Sequence, residues 1–195
     1  MSEETHFSSR DHDLDDDSWD VRETFAYFGR AFYMASVLEV GLAHALLFGE
    51  FMQSVQNQMA VDKGKHFDRA QFERDFDAYM NKQFSLTMGN IIRRVHSIHD
   101  FSDEVKERIS LAKERRDFIT HHYWRERSIN FVTSEGRAQM REELNDDAEM
   151  FLTLDRAIDA AMKATREKLG LTDELSEVYF RKMSDKIKAG LQWDE

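Results

Sequence analysis

The sequence has no cysteine, no proline and only eight glycines among 195 residues. The absence of cysteine rules out disulfides, a thiolate nucleophile and zinc–thiolate sites, and it makes a cytoplasmic address the default expectation. With no proline and few glycines, almost nothing along the chain forbids long helices. The Gly-rich phosphate loop, Gly-x-Ser-x-Gly, His-Glu-x-x-His and the EF-hand pattern are all missing. Acids outnumber Lys and Arg by 38 to 27, and the net charge of −11 opposes broad phosphate contact. With no helix-turn-helix signal either, sequence-specific DNA recognition is disfavoured. The N-terminal residues lack the basic and apolar regions of a secretory signal.

Hydrophobic residues make up 41% of the chain and aromatics 12%, with fifteen Phe. That is enough to close a core in a chain of this length. The expected fold is all-α, an antiparallel bundle of five or six helices. Residues 1–20 hold eight acids and one base and are expected to form an acidic, disordered tail, leaving 21–195 as a single helical-bundle domain of net charge −4. An Asp20-Val-Arg-Glu23 capping-box pattern places the first helix start there. Ala31–Phe48 is eighteen residues long and mostly apolar, which reaches the length of a membrane span. Glu39 and His44 inside it would be costly in lipid, so no membrane is expected and the segment reads as a central helix buried over most of its circumference.

Residues 62–67 read as a loop, and Asp68-Arg-Ala-Gln71 as a second capping box. Phe72, Phe76, Tyr79 and Met80 then fall at helical spacing, as do Ile91, Ile92, Val95 and Ile98 after a junction near Phe84. His96 and His99 read as surface histidines, since no further ligand at usable spacing completes a metal site. Ser102-Asp-Glu opens a helix whose core-facing candidates are Val105, Ile109, Ala112 and Ile119. From about Ser134 to Leu169, the residues Leu144, Ala148, Phe151, Leu154, Ile158, Met162, Thr165 and Leu169 form a strip of bundle type. Gly170 is a natural stop, and Thr172 restarts a helix with Leu175, Val178, Tyr179, Met183 and Ile187 as its apolar side.

Against this acidic background, Lys106–Arg127 carries seven Lys/Arg and four acids, a local charge of +3. On one unbroken helix Arg116, Thr120 and Tyr123 fall on one line, and Asp117 and His121 on the adjacent one. Arg115, His122 and Arg125 border that patch. Cleaving an RNA phosphodiester takes a base for the 2′-hydroxyl, an acid for the leaving oxygen and a cation for the phosphorane. A histidine that titrates near neutrality and a guanidinium able to grip phosphate through two hydrogen bonds suit those roles. Because one histidine cannot easily be acid and base together, a two-fold homodimer presenting two copies of the patch would complete the set.

The residues Arg116-Asp117-x3-His121 resemble the signature of the HEPN superfamily, helical bundles that include metal-independent endoribonucleases. With Tyr123 the pattern is similar to the Arg-x4-His-x-Tyr form of HEPN toxins from toxin–antitoxin pairs. The resemblance implies Arg116 and His121 as catalytic, Asp117 as the polar helper supported by His122, and Tyr123 as a site modified by a partner antitoxin of nucleotidyltransferase type. It also implies a toxin or antiviral effector that acts on RNA as a homodimer without metal or cofactor, with Arg115, Arg125 and Arg127 holding the RNA. Asparagine is common where this chain has Asp117. Two other readings stay open on the same residues: basic and aromatic groups that stabilise a helix end, and a non-catalytic HEPN-like module for dimerisation or protein interaction.

Overall fold

The computed structural model describes residues 15–61, 68–98 and 100–188. The rest of the acidic tail, the loop at 62–67, His99 and the side chains of Tyr179, Met183 and Ile187 lie outside the described residues. Among the described residues all regular structure is helical. In chain order it comprises α1 (Asp16–Leu46), a π-helical turn (Leu47–Met52), α2 (Gln53–Val61), α3 (Arg69–Phe84), α4 (Met88–Val95), α5 (Asp103–His121), the short α6 (Tyr123–Glu126), a 3₁₀ turn (Asn130–Val132), α7 (Ser134–Lys168) and α8 (Asp173–Lys188). The protein is all-α.

Local chemistry explains several helix ends. The Asp68 carboxylate accepts from the Gln71 amide at 3.0 Å, and the Ser102 hydroxyl accepts from the Val105 amide at 3.3 Å. Gly170 has φ +77°, a left-handed conformation that ends α7 where a side chain would be strained. The first helix departs from expectation. It begins at Asp16, ahead of the Asp20 capping box, with the Asp15 carboxylate accepting from the Ser18 amide at 2.7 Å. Asp16 and Asp17 in the first turn suit the positive end of the helix dipole. The Asp20 carboxylate accepts instead from Arg137 at 2.5 Å and from Arg141.

The chain divides into two compact units, each discontinuous in sequence: residues up to Glu39 with Glu107–Asp155, and Val40–Lys106 with the residues from Arg156 onward. In the first unit Ala31, Ala35 and Leu38 of α1, Ile109, Ala112 and Ile119 of α5, and Met140, Leu144, Ala148, Phe151 and Leu154 of α7 are buried. These are the positions that helical spacing picks out on α5 and α7. Arg137 is only 3% exposed, and its guanidinium meets Asp17, Asp20 and the Phe131 carbonyl, so a buried cation is fully paired. Beside it, Phe25, Phe28, Trp124 and Phe131 form an aromatic cluster with ring centroids 4.9–5.6 Å apart.

In the second unit the expected stripe on α4 is buried through Ile91, Ile92, Val95 and the following Ile98. Phe72, Phe76 and Tyr79 of α3 gather on Phe51 of the π-helical turn, with centroids 5.0–6.2 Å apart. The expected α1 segment, read as buried over most of its circumference, has one exposed side: Phe32, Tyr33, Ser36, Val40 and His44 are exposed, while the rest of residues 31–48 are buried or half-buried. The helix from Asp16 to Val61 meets the length and composition of a membrane span, and 44% of its most apolar window is buried. Core helices of soluble proteins pass the same test, so length alone decides nothing.

Two glycines separate space from strain. A Cβ at Gly136 would stand 2.0 Å from the Asn130 carbonyl oxygen, whereas at Gly29 it would meet nothing within 4 Å. Gly136→Ala is therefore expected to lower stability by about 1–3 kcal/mol or more. Gly29→Ala, in an open helix interior, should raise it by about 0.5–1 kcal/mol. Urea midpoints at unchanged slope test both.

Candidate functional site

The apolar positions Ile109, Ala112 and Ile119 fix the rotation of α5 and with it the direction of every other side chain in the basic stretch. Arg115 turns toward α7. Its guanidinium donates to both oxygens of Asp147 at 2.5 and 2.8 Å and to Glu143 at 2.6 Å. Arg127 closes on the same acid, with two bonds to Glu143 at 2.8 and 2.7 Å. The Phe118 ring meets both cations, its centroid 4.7 Å from the Arg115 guanidinium carbon and 5.3 Å from that of Arg127. Two of the three arginines expected to hold RNA are thus neutralised inside the fold.

Electrostatics follow from that arrangement. Burial opposes the charge on Arg115, but the carboxylates of Asp147 and Glu143 outweigh it and raise its pKa. Burial pushes the Glu143 carboxyl up, and the bonds from Arg127 and Arg115 overcome this and bring it below its ordinary value. Asp147 is the more deeply placed, and burial leaves its pKa raised despite Arg115.

Arg116 points to another side of α5 and meets two acids, Glu39 of α1 at 3.2 Å and Asp117 at 3.0 Å. Asp117 also accepts from Lys113 at 2.6 Å. Burial alone would raise the Asp117 pKa; the bonds from Lys113 and Arg116 lower it. His121 ends α5 and is exposed, as is Thr120. The two neighbouring imidazoles, His121 and His122, stand with centroids 6.2 Å apart.

The expected line of Arg116, Thr120 and Tyr123 does not form. His122 takes φ −128°, ψ −24°, the helix breaks, and α6 starts afresh at Tyr123. Tyr123 enters the core at 1% exposure, donates to the Met140 carbonyl at 3.2 Å and touches Phe28 and Phe118 at centroid distances of 5.8 Å. Burial raises its pKa, and the charge of Glu143 adds to the effect. Only an unbroken helix would have kept the phenol beside His121.

Arg125 remains exposed on α6, paired with Glu126 at 3.0 Å and with one guanidinium nitrogen 3.0 Å from His122 Nδ1. Phe118, His122, Arg125, Glu126 and Arg127 line an open cleft of about 370 Å³. Among the described residues no group of three or more His, Cys, Asp or Glu side chains is placed to hold a metal ion.

Sequence reasoning missed Glu143 and Asp147. A signal existed, because the two acids lie i, i+4 on α7 immediately beside the buried Leu144 and Ala148, where a carboxylate needs a cation. In comparisons with known proteins the chain matches no family model, no curated protein and no solved structure.

Two substitutions check this geometry. Tyr123→Phe removes one buried hydrogen bond and should cost about 0.5–1.5 kcal/mol in urea unfolding. Glu143→Gln should cost about 1.5–3 kcal/mol at pH 7, where the bonds to both arginines are charge-assisted. The folded-state pKa of Glu143 is depressed, so its contribution is present above the ordinary value of 4.5 and is lost as pH falls through the folded value. The difference between wild type and Glu143→Gln should accordingly narrow as unfolding is measured at pH values progressively below 4.5.

Proposed function

We propose that the chain is a HEPN-like metal-independent endoribonuclease that works at a homodimer cleft in the cytoplasm, as a toxin or antiviral effector. The observation that carries this reading is the end of α5, where His121 and His122 are both exposed, with Arg116 and Asp117 within the two preceding helical turns. In the proposed reaction one His121 removes the proton of a ribose 2′-hydroxyl. The 2′-oxygen attacks phosphorus, the bond to the 5′-oxygen breaks, and His121 of the second copy protonates that oxygen. Arg116 stabilises the phosphorane, exchanging part of its contact with Glu39 for phosphate.

The folded charge distribution changes the supporting cast. Arg125 and His122, which line the open cleft, make the first phosphate contact; Arg115 and Arg127 would have to leave Glu143 to take part. Nucleotidylation of Tyr123 by an antitoxin requires its hydroxyl to leave the Met140 carbonyl. Dimerisation is supported by exposed apolar side chains in the first unit: Phe25, Phe32, Tyr33, Ile129 and Val132.

A second reading, a non-catalytic HEPN-like module for dimerisation or protein interaction, is favoured by one observation. Arg116 already has two carboxylate partners, Glu39 and Asp117. Cleavage of labelled RNA in EDTA separates the two. Wild type should cut, and Arg116→Ala and His121→Ala should each lose about 10²-fold or more while staying folded and equally dimeric. A wild-type dimer that leaves RNA intact would assign the protein to the interaction class.

A further inference from the structure

A second concentration of positive charge lies in the other unit, where the sequence gives no motif. Lys82 near the end of α3, Leu86 in the junction, and Asn90, Arg93 and Arg94 of α4 line a cavity of about 320 Å³. That is the lower end of the size range of small-ligand pockets, roughly 300–1,000 Å³. Its lining contains three cations and no carboxylate.

Arg94 is the fixed wall of this cavity. Its guanidinium donates to both oxygens of Glu50, to Gln83 Oε1 and to the Tyr79 hydroxyl. Gln83 is fully buried and anchored in turn by donating to the Tyr79 carbonyl at 3.3 Å. Tyr79 lies 3.0 Å from the Leu46 carbonyl and 3.1 Å from Glu50. Glu50 belongs to the π-helical turn, a local irregularity that recurs at functional sites and here aims a carboxylate at Arg94. These bonds occupy most of the five guanidinium donors and leave an Nη1 hydrogen outside them.

The other two cations are different. Lys82 and Arg93 are exposed, and neither meets a carboxylate among the described residues. Arg93 donates to the Asn90 side-chain oxygen, which orients the Asn90 amide nitrogen as a further donor. With Glu50 balancing Arg94, the cavity keeps two uncompensated positive charges in a protein of net charge −11. Ammonium, guanidinium and amide donors around one small space match a tetrahedral dianion with several acceptor oxygens, and a single carboxylate would leave part of them unused. Leu86 is the only apolar side chain of the lining, so recognition centres on the anionic group.

We propose that this pocket binds the phosphate group of a small phosphate monoester. The inference is independent of the ribonuclease reading, since none of its residues belongs to that site. Inorganic phosphate is the probe, titrated into the full chain at constant ionic strength with chloride as the reference, and followed by calorimetry and backbone amide resonances. Saturable binding with a Kd of about 1 mM or tighter is expected, with amide shifts centred on Lys82 to Arg94. Lys82→Gln and Arg93→Gln should each weaken it about tenfold or more, the loss of one charge-assisted contact. Lys168→Gln, which removes an equal charge elsewhere in the same unit, should leave it unchanged. The proposal is overturned if wild type shows no saturable binding, if Lys168→Gln weakens it equally, or if the two pocket variants bind as wild type does. Added ribose 5-phosphate separates a monoester pocket from one that accepts only the free ion: it should compete with phosphate, and failure to compete overturns the monoester assignment.

Discussion

One carboxylate, that of Glu143, ties together two parts of the basic stretch. It accepts from Arg115 and Arg127, which lie on either side of the break between α5 and α6 and both meet the Phe118 ring. Two guanidiniums brought this near each other repel unless an anion lies between them. The carboxylate therefore holds the residues on both sides of the irregular backbone at His122 together. Across that irregularity His121 and His122 stay exposed while Tyr123 enters the core.

The same arrangement shows why the charge of a sequence window is a poor guide to the charge of a surface. Lys106–Arg127 carries +3 as a string. Folding brings Glu39, Glu143 and Asp147 to its arginines across sequence separations of 16 to 77 residues, and leaves Arg125 as the arginine most open to solvent. Near Lys82 the outcome is the opposite: Lys82–Arg94 also carries +3 as a string, but among the described residues Glu50 is the one carboxylate that pairs with it, so the charge persists as a cationic pocket. Pairing partners at long sequence separation decide both outcomes, and helical periodicity contains no information about them.

What was legible in the sequence is what local rules govern. The strip along α7 from Leu144 to Met162, the caps at Asp68 and Ser102, the stop at Gly170 and the apolar sides of α3 and α4 all follow from spacing and cap chemistry, and the structure has them. The position of Tyr123 was not legible. Its placement beside Arg116 assumed a continuous helix through His122, and neither proline nor glycine marks the break. The division into two units was equally silent, because it passes within α1, α5 and α7, where no linker composition could announce it. The Arg116–His121 pair lay in between: their helix was foreseen, but not the acid from α1 that Arg116 meets.

The capture of the first turn of α1 by α7 bears on where this chain can be shortened. Of the eight acids in residues 1–20, four lie between Asp15 and Asp20. Asp17 and Asp20 among them are the counter-charges of Arg137 and Arg141. Trimming at residue 14 would leave in place the acids that pair with Arg137 and Arg141. Trimming at residue 20, where composition alone would put the cut, strands a guanidinium that is almost wholly enclosed. The six residues between those cuts therefore act as a built-in counter-ion, and a protease reaching them would destabilise the first unit while leaving its hydrophobic core untouched.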